Sequence, residues 1–223
     1  MSQTENQQLD QRSLPGNLAD LPLVVLPAKG SGTSSMAVLL SGDGGWAKID
    51  RKLGNFLAGG GVPVVGLNSL RYFWKKRTPE EAAEDLSRIL RHYLALWKKE
   101  KAVLVGYSLG ADVLPFMADR LPGEIIEKVS LMALLGPGTH TDFVFHVTEW
   151  LGATSKAARP VLPEVEKLIG MKVRILCFYG RKEPDSLCNK LEPNLVQVVP
   201  LKGAHHFGGN YSKIAEIILK EIK

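Results

Sequence analysis

From about residue 22 to the end of the chain, short apolar runs alternate with segments of helical period, and few architectures accept that rhythm. The strand-like runs are Leu23–Leu26, Met36–Leu40, Val62–Leu67, Ala102–Val105, Val129–Leu135, Val173–Tyr179 and Leu195–Val199. Several are apolar almost throughout, as strands are when both faces of a sheet are covered. Strands alternating with helices in this way predict a mostly parallel, twisted sheet with helices on both faces, an α/β class fold.

The clearest helix begins at Thr78. Thr78 can cap it, Pro79 suits the first helical position, and Glu81 completes a capping box. Beyond them Ala82, Leu86, Ile89, Leu90, Tyr93, Leu94 and Trp97 recur at threes and fours, which makes one apolar stripe for the core. A second helix should follow Ser108, disturbed by Pro115, and a last one should run from Ser212 to Ile222. No internal repeat or boundary divides the chain. The expected organisation is a flexible arm over residues 1–21 and one domain over 22–223. Residues 137–170, irregular and punctuated by Pro and Gly, would form a small cap.

The chemistry concentrates in the loops that follow strands. Gly106-Tyr107-Ser108-Leu109-Gly110 comes straight after Ala102–Val105. This is the G-x-S-x-G nucleophile elbow, in which a sharp turn from strand to helix exposes the serine Oγ above the sheet. The nucleophile then needs a base and a group to orient it, in the chain order Ser, Asp/Glu, His that the α/β-hydrolase fold uses. After Val173–Tyr179 comes Gly180-Arg181-Lys182-Glu183-Pro184-Asp185-Ser186, and after Leu195–Val199 comes Lys202-Gly203-Ala204-His205-His206-Phe207. His206, followed by Phe207, resembles the G-x-x-H-F ending common around hydrolase histidines and is the expected base. His205 would pack or touch substrate. Asp185 is preferred to Glu183 as the acid because it needs less reach in a tight loop. His92, His140 and His146 have no such loop context and read as structural.

An oxyanion hole needs two preorganised N–H donors. Leu109 follows the nucleophile and supplies one. The other should come from Ser41-Gly42-Asp43-Gly44-Gly45-Trp46, at the backbone of Asp43. The Asp43 side chain would oppose a developing oxyanion if it pointed inward, so it points away or binds a cation on the substrate, such as a primary ammonium. Gly44, Trp46 and Tyr107 complete the expected substrate-binding set. No Gly-Lys-Ser/Thr follows the glycines, so this is not a phosphate-binding P-loop.

Composition narrows the remaining classes. No run approaches 18 apolar residues, and Met1 to Asp20 are polar, with no export-signal pattern. The net charge of +5 gathers in Arg71–Arg77 and Lys98–Lys101, as a solvated face or an attraction to an anionic phospholipid surface. No nucleic-acid motif accompanies it. Cys177 and Cys188 do not make a zinc site. They either pair as a disulfide in an oxidising compartment or remain a core thiol and a loop thiol. No metal or cofactor is implied.

Read together, Ser41-Gly-Asp-Gly-Gly-Trp46, Leu70-Arg-Tyr-Phe-Trp74, Gly106-Tyr-Ser-Leu-Gly-Ala-Asp-Val-Leu-Pro115 and Gly203-Ala-His-His-Phe207 resemble the bacterial VirJ/AcvB virulence-protein family. Phe143-Val-Phe-His146 and Asp185-Ser-Leu-Cys188 are similar to it too. The resemblance implies an α/β-hydrolase fold and a periplasmic location linked to type IV secretion components. It also implies hydrolysis of aminoacylated phospholipids such as lysyl-phosphatidylglycerol, and it favours the Cys177–Cys188 disulfide. Tyr72, Phe73 and Trp74 would then either dip into an anionic membrane or pack beside the site. Two rival readings are a generic carboxylesterase or lipase, and a non-catalytic partner in secretion built on a hydrolase scaffold.

Overall fold

The structure is a computed structural model that describes residues 18–30, 32–143 and 158–222. Seven strands form one sheet: β1 (Leu23–Leu26), β2 (Ser35–Leu40), β3 (Val64–Leu67), β4 (Lys101–Tyr107), β5 (Val129–Leu135), β8 (Ile175–Gly180) and β9 (Gln197–Leu201). Their order is β1-β3-β2-β4-β5-β8-β9, and every adjacent pair is parallel except β1 with β3. This is the mostly parallel sheet that the alternation predicts, in the α/β-hydrolase architecture that the resemblance implies. The parallel strands all end at the same sheet edge, so the loops after β2, β4, β5, β8 and β9 gather there.

Side chains alternate across the sheet and divide the core in two. Met36, Val38, Leu40, Leu104, Met132 and Leu134 face a core shared with α3 (Pro79–Leu96), α4 (Leu109–Ala118) and α6 (Leu162–Gly170). Ala37, Leu39, Val103, Val105, Ala133 and Phe178 face the other, shared with α1 (Lys48–Gly59) and α7 (Tyr211–Glu221). Both faces are therefore covered, which explains why β2 and β5 are apolar nearly end to end.

Helix α3 starts as its sequence dictates. Thr78 Oγ1 accepts from Glu81 N at 3.1 Å, and Thr78 N donates to Glu81 Oε2 at 2.8 Å. Just before it, α2 (Ser69–Tyr72) carries the aromatic stretch. Tyr72 and Phe73 are fully buried, with Tyr72 Oη donating to Asp85 Oδ2 at 2.6 Å and Arg77 stacked over its ring at 4.6 Å. They pack into the core shared with α3, so neither ring is at the surface to dip into a membrane, whereas Trp74 is 66% exposed.

At the chain's start, Leu18 and Leu21 are buried in the core, so the last residues of the expected arm are packed; residues 1–17 lie outside the described residues. Of the expected cap, residues 144–157, His146 among them, also lie outside. Its described flanks hold β6 (His140–Thr141) paired with β7 (Arg159–Pro160), then α6. Helix α4 runs through Pro115 and ends three residues later at Ala118, and the one-turn α5 (Gly123–Ile126) follows it.

Helix α1 carries a buried carboxyl. Asp50 Oδ2 accepts from the Ala47 N–H at 2.9 Å, while Oδ1 is buried with no hydrogen-bond partner among the described residues. Burial pushes this carboxyl up to about 7, and the Ala47 bond offsets only part of that. An unfolded aspartate ionises near 3.8, so between these values the folded chain holds the proton more often than the unfolded one. Stability therefore falls as pH rises through that window. Urea midpoints at about pH 5 and about pH 8 should show the wild type weaker at the higher pH, with Asp50→Asn narrowing the gap. An unchanged gap would acquit Asp50.

Candidate active site

Ser108 sits between β4 and α4 at φ 51°, ψ −122°, a conformation that a residue with a side chain seldom holds. Close packing of backbone enforces it. A Cβ on Gly106 would lie 2.4 Å from the Gly110 carbonyl oxygen, and one on Gly110 would lie 2.3 Å from the Leu40 oxygen. Ser108 N donates to Leu135 O at 2.9 Å, which ties the turn to β5. Such strain costs on the order of 1–3 kcal/mol and persists only where the surroundings over-determine it.

Ser108 lines a cavity of about 470 Å³ together with Gly42, Asp43, Tyr107, His205 and His206. The loop after β2 approaches closely: a Cβ on Gly42 would meet Ser108 Cβ at 3.3 Å and Tyr107 Cδ1 at 3.2 Å. Gly45 takes φ 73°, and the loop closes with Gly45 N donating to Gly42 O at 3.0 Å. Leu109 is the first residue of α4, so its N–H has no helical carbonyl to meet. Asp43 stands exposed on the rim, with Oδ1 accepting from Gly44 N at 2.9 Å. Gly44 lines the cavity as well. Trp46 does not: its ring covers Gly66, where a Cβ would lie 2.2 Å from it.

The two histidines have different partners. His205 Nδ1 meets Glu183 Oε1 at 2.6 Å, and Glu183 Oε2 accepts from Gly180 N at 2.8 Å. His206 Nδ1 meets Tyr107 Oη at 2.9 Å. Asp185 is exposed and makes no hydrogen bond or ion pair to either histidine. The expected pair, His206 with Asp185, is thus not the pair brought together. The loop uses the longer reach that it was not expected to need: from half-buried Glu183 the glutamate stem extends back to β8 and across to His205 at once. The Glu183–Pro184 sequence offered no signal of this.

The acid loop is held from three sides. Cys188 forms a disulfide with Cys177 in β8, both buried. Ser186 Oγ and Leu187 N donate to Pro137 O at 3.2 and 2.9 Å. Asn189 Nδ2 donates to the carbonyls of Glu183 and Pro184. The loop after β5 that receives these bonds also backs His205, because a Cβ on Gly136 would lie 2.9 Å from His205 Cε1. In the same loop Gly138 N donates to Asp112 Oδ1 at 2.7 Å. Asp112 keeps partial exposure as a residue, yet its carboxyl is enclosed by protein, and this pushes it up to about 8. Sequence reasoning passed over Asp112, although it lies one helical turn beyond Ser108. No group of His, Cys, Asp and Glu among the described residues could hold a metal ion.

Several solved structures share this fold at low identity. Est1E from Butyrivibrio proteoclasticus superposes with a TM-score of 0.64 at 12% identity, over 90% of this chain and 93% of that one. An alpha-beta serine hydrolase homologue from Coxiella burnetii gives 0.59 at 17% identity, over 90% and 91%. A monoacylglycerol lipase from Paleococcus ferrophilus gives 0.56 at 15% identity, over 91% and 99%. At these identities the likeness establishes the fold alone. Comparison with curated protein sequences gives no match. The family described as bacterial virulence protein (VirJ) matches residues 34–223, most of the length and all of the site, and the chain belongs to that family.

Proposed function

We propose that this protein is a serine hydrolase that cleaves carboxylic esters through an acyl-enzyme on Ser108, with His205 as base and Glu183 as the acid that orients it. The observation that carries the reading is the convergence in one cavity of a serine on a strained strand-to-helix turn and a histidine bonded to a carboxylate at 2.6 Å. With Nδ1–H given to Glu183, neutral His205 keeps its lone pair on Nε2, the nitrogen free to take the Ser108 proton. Oγ then attacks the ester carbonyl, and the N–H groups of Asp43 and Leu109 receive the oxyanion. Collapse breaks the ester bond and releases the alcohol, which takes the proton from His205. Water activated by the same nitrogen then frees the acid and restores Ser108.

A fluorophosphonate probe should label the wild type, while Ser108→Ala and His205→Ala should both lose labelling and at least about 1000-fold in kcat on p-nitrophenyl butyrate. Glu183→Gln should lose about 100-fold or more, and Asp185→Asn less than about twofold. Collapse in His206→Ala with full activity in His205→Ala would return the base to His206.

The substrate class is carbonyl esters, in keeping with fold relatives that include a monoacylglycerol lipase, an esterase domain and a thioesterase domain. Within it we favour aminoacyl esters of phospholipids such as lysyl-phosphatidylglycerol. Family membership supports this, as does the exposed Asp43 carboxylate on the cavity rim, a partner for an ammonium group. Exposed Trp74 beside exposed Arg71, Lys75 and Lys76 supports contact with an anionic lipid surface. The disulfide supports an oxidising compartment, which we take to be the periplasm, the setting of type IV secretion components. Asp43→Asn should raise KM for a lysyl ester about fivefold over its effect on a neutral ester, an exposed charge pair being worth about 1 kcal/mol. Equal effects on the two esters would remove Asp43 from cation recognition.

A further inference from the structure

Once His205 is taken as the base, His206 is left in the same cavity with a different partner and, by the argument that follows, the opposite hydrogen-bonding character. Burial raises the Tyr107 phenol above its ordinary value, so it stays protonated and has one hydrogen to give. Two acceptors lie within reach, His206 Nδ1 at 2.9 Å and the His205 carbonyl oxygen at 3.5 Å. The second is beyond the usual O–H···O range of about 2.5–3.0 Å, so the hydrogen goes to Nδ1. A neutral His206 that accepts at Nδ1 must carry its own proton on Nε2, and a protonated one carries it there as well. In both states Nε2 is an N–H donor. His205 is the reverse, since Glu183 takes its Nδ1–H and Nε2 is left to accept.

His206 is exposed at the cavity, and exposed Lys48 lines the same cavity. Two carboxylates share the lining, and neither is hydrogen-bonded to His206 or Lys48. Asp43 has turned one oxygen to Gly44 N, and Asp50 is buried in α1 against Ala47 N. A neutral or cationic imidazole N–H and an ammonium in one cavity suit an oxygen that is both an acceptor and anionic.

We propose that His206, with its tautomer fixed by Tyr107, is a specificity-determining residue that receives a phosphate oxygen of the substrate beyond the scissile ester. The proposal rests on Ser108 and His205 as the reacting pair. It adds a role that those two do not fill: His206 selects which esters are held and takes no part in moving the proton.

Two esters that differ only in the phosphate test it, 1-butyrylglycerol and 1-butyrylglycerol 3-phosphate. The readout is the ratio of their KM values on one enzyme preparation, which does not depend on the fraction folded. The wild type should favour the phosphate ester by about tenfold, the scale of one hydrogen bond to a charged group. His206→Leu should abolish that preference, and His206→Gln, whose amide nitrogen restores a donor, should recover most of it. Tyr107→Phe should fall between them. A ratio unmoved by His206→Leu would overturn the proposal even while Ser108→Ala and His205→Ala remain inactive, which leaves the hydrolase reading intact. A ratio that His206→Gln fails to rescue would also overturn it. Loss of turnover on both esters in His206→Leu, with His205→Ala active, would instead overturn the base assignment. Inorganic phosphate and glycerol 3-phosphate, added as competitors of 1-butyrylglycerol, separate the two sources of the anion. Stronger inhibition by glycerol 3-phosphate is expected; inhibition by inorganic phosphate of equal strength would assign the site to the free ion and overturn its place in substrate recognition.

Discussion

Everything at this site depends on how closely three pieces of backbone approach one another beneath Ser108. Gly106 at the end of β4 and Gly110 in the first turn of α4 leave no room for a Cβ, and at Gly42, in the loop after β2, one would crowd Tyr107 and Ser108. Because α4 lies this near the Leu40 carbonyl, the chain must leave β4 abruptly, and Ser108 absorbs the cost as a positive φ. The same approach places the loop that supplies Asp43 against the serine. In the proposed mechanism the nucleophile and its oxyanion donors would thus share one packing constraint.

A second constraint joins the nucleophile to the acid. The loop after β5 is bonded to α4 through Gly138 N and Asp112, and to the acid loop through Pro137 O. It also supports the His205 ring at Gly136. The Cys177–Cys188 disulfide fastens the acid loop to β8 from the other side. Glu183 is therefore located by covalent and hydrogen-bonded links, although its loop is otherwise open to solvent. Asp112 is costly in such a place, since an enclosed carboxyl with one backbone donor favours its neutral form. What it supplies in return, one turn beyond Ser108, is the Gly138 bond that no apolar residue could make.

How much of this was legible in the sequence follows from what each feature depends on. The sheet was legible because covered strands must be apolar on both faces, and β1 and β5 run over the residues expected of them. The start of α3 was legible because capping is local chemistry between Thr78 and Glu81. Helix α1 was not: its stripe of Ile49, Leu53 and Leu57 is short and interrupted by Gly54, and only packing against α7 identifies it. Ser108 was legible from five residues. Which histidine meets which partner was not, because adjacent histidines in one loop differ in partner only once the ends of β4 and β8 are brought to one edge of the sheet. Tyr107 decides the matter by occupying His206, and nothing in G-x-S-x-G requires a tyrosine at its second position.

The pairing of Tyr107 with His206 also explains how two neighbouring imidazoles can share a cavity without competing for the same proton. Their ring centroids are 6.1 Å apart, close enough for two bases beside one serine to be interchangeable if nothing distinguished them. A carboxylate behind one ring and a phenol behind the other remove that ambiguity. The carboxylate accepts, so His205 turns a lone pair outward and its imidazolium is stabilised when it forms. On the proposed reading the phenol donates, its other acceptor lying beyond range, so His206 turns an N–H outward and gains nothing by taking the serine's proton. One ring is suited to carry charge through a reaction and the other to meet charge already present on a substrate. The difference lies wholly in the groups behind them, Glu183 on the acid loop and Tyr107 beside the nucleophile.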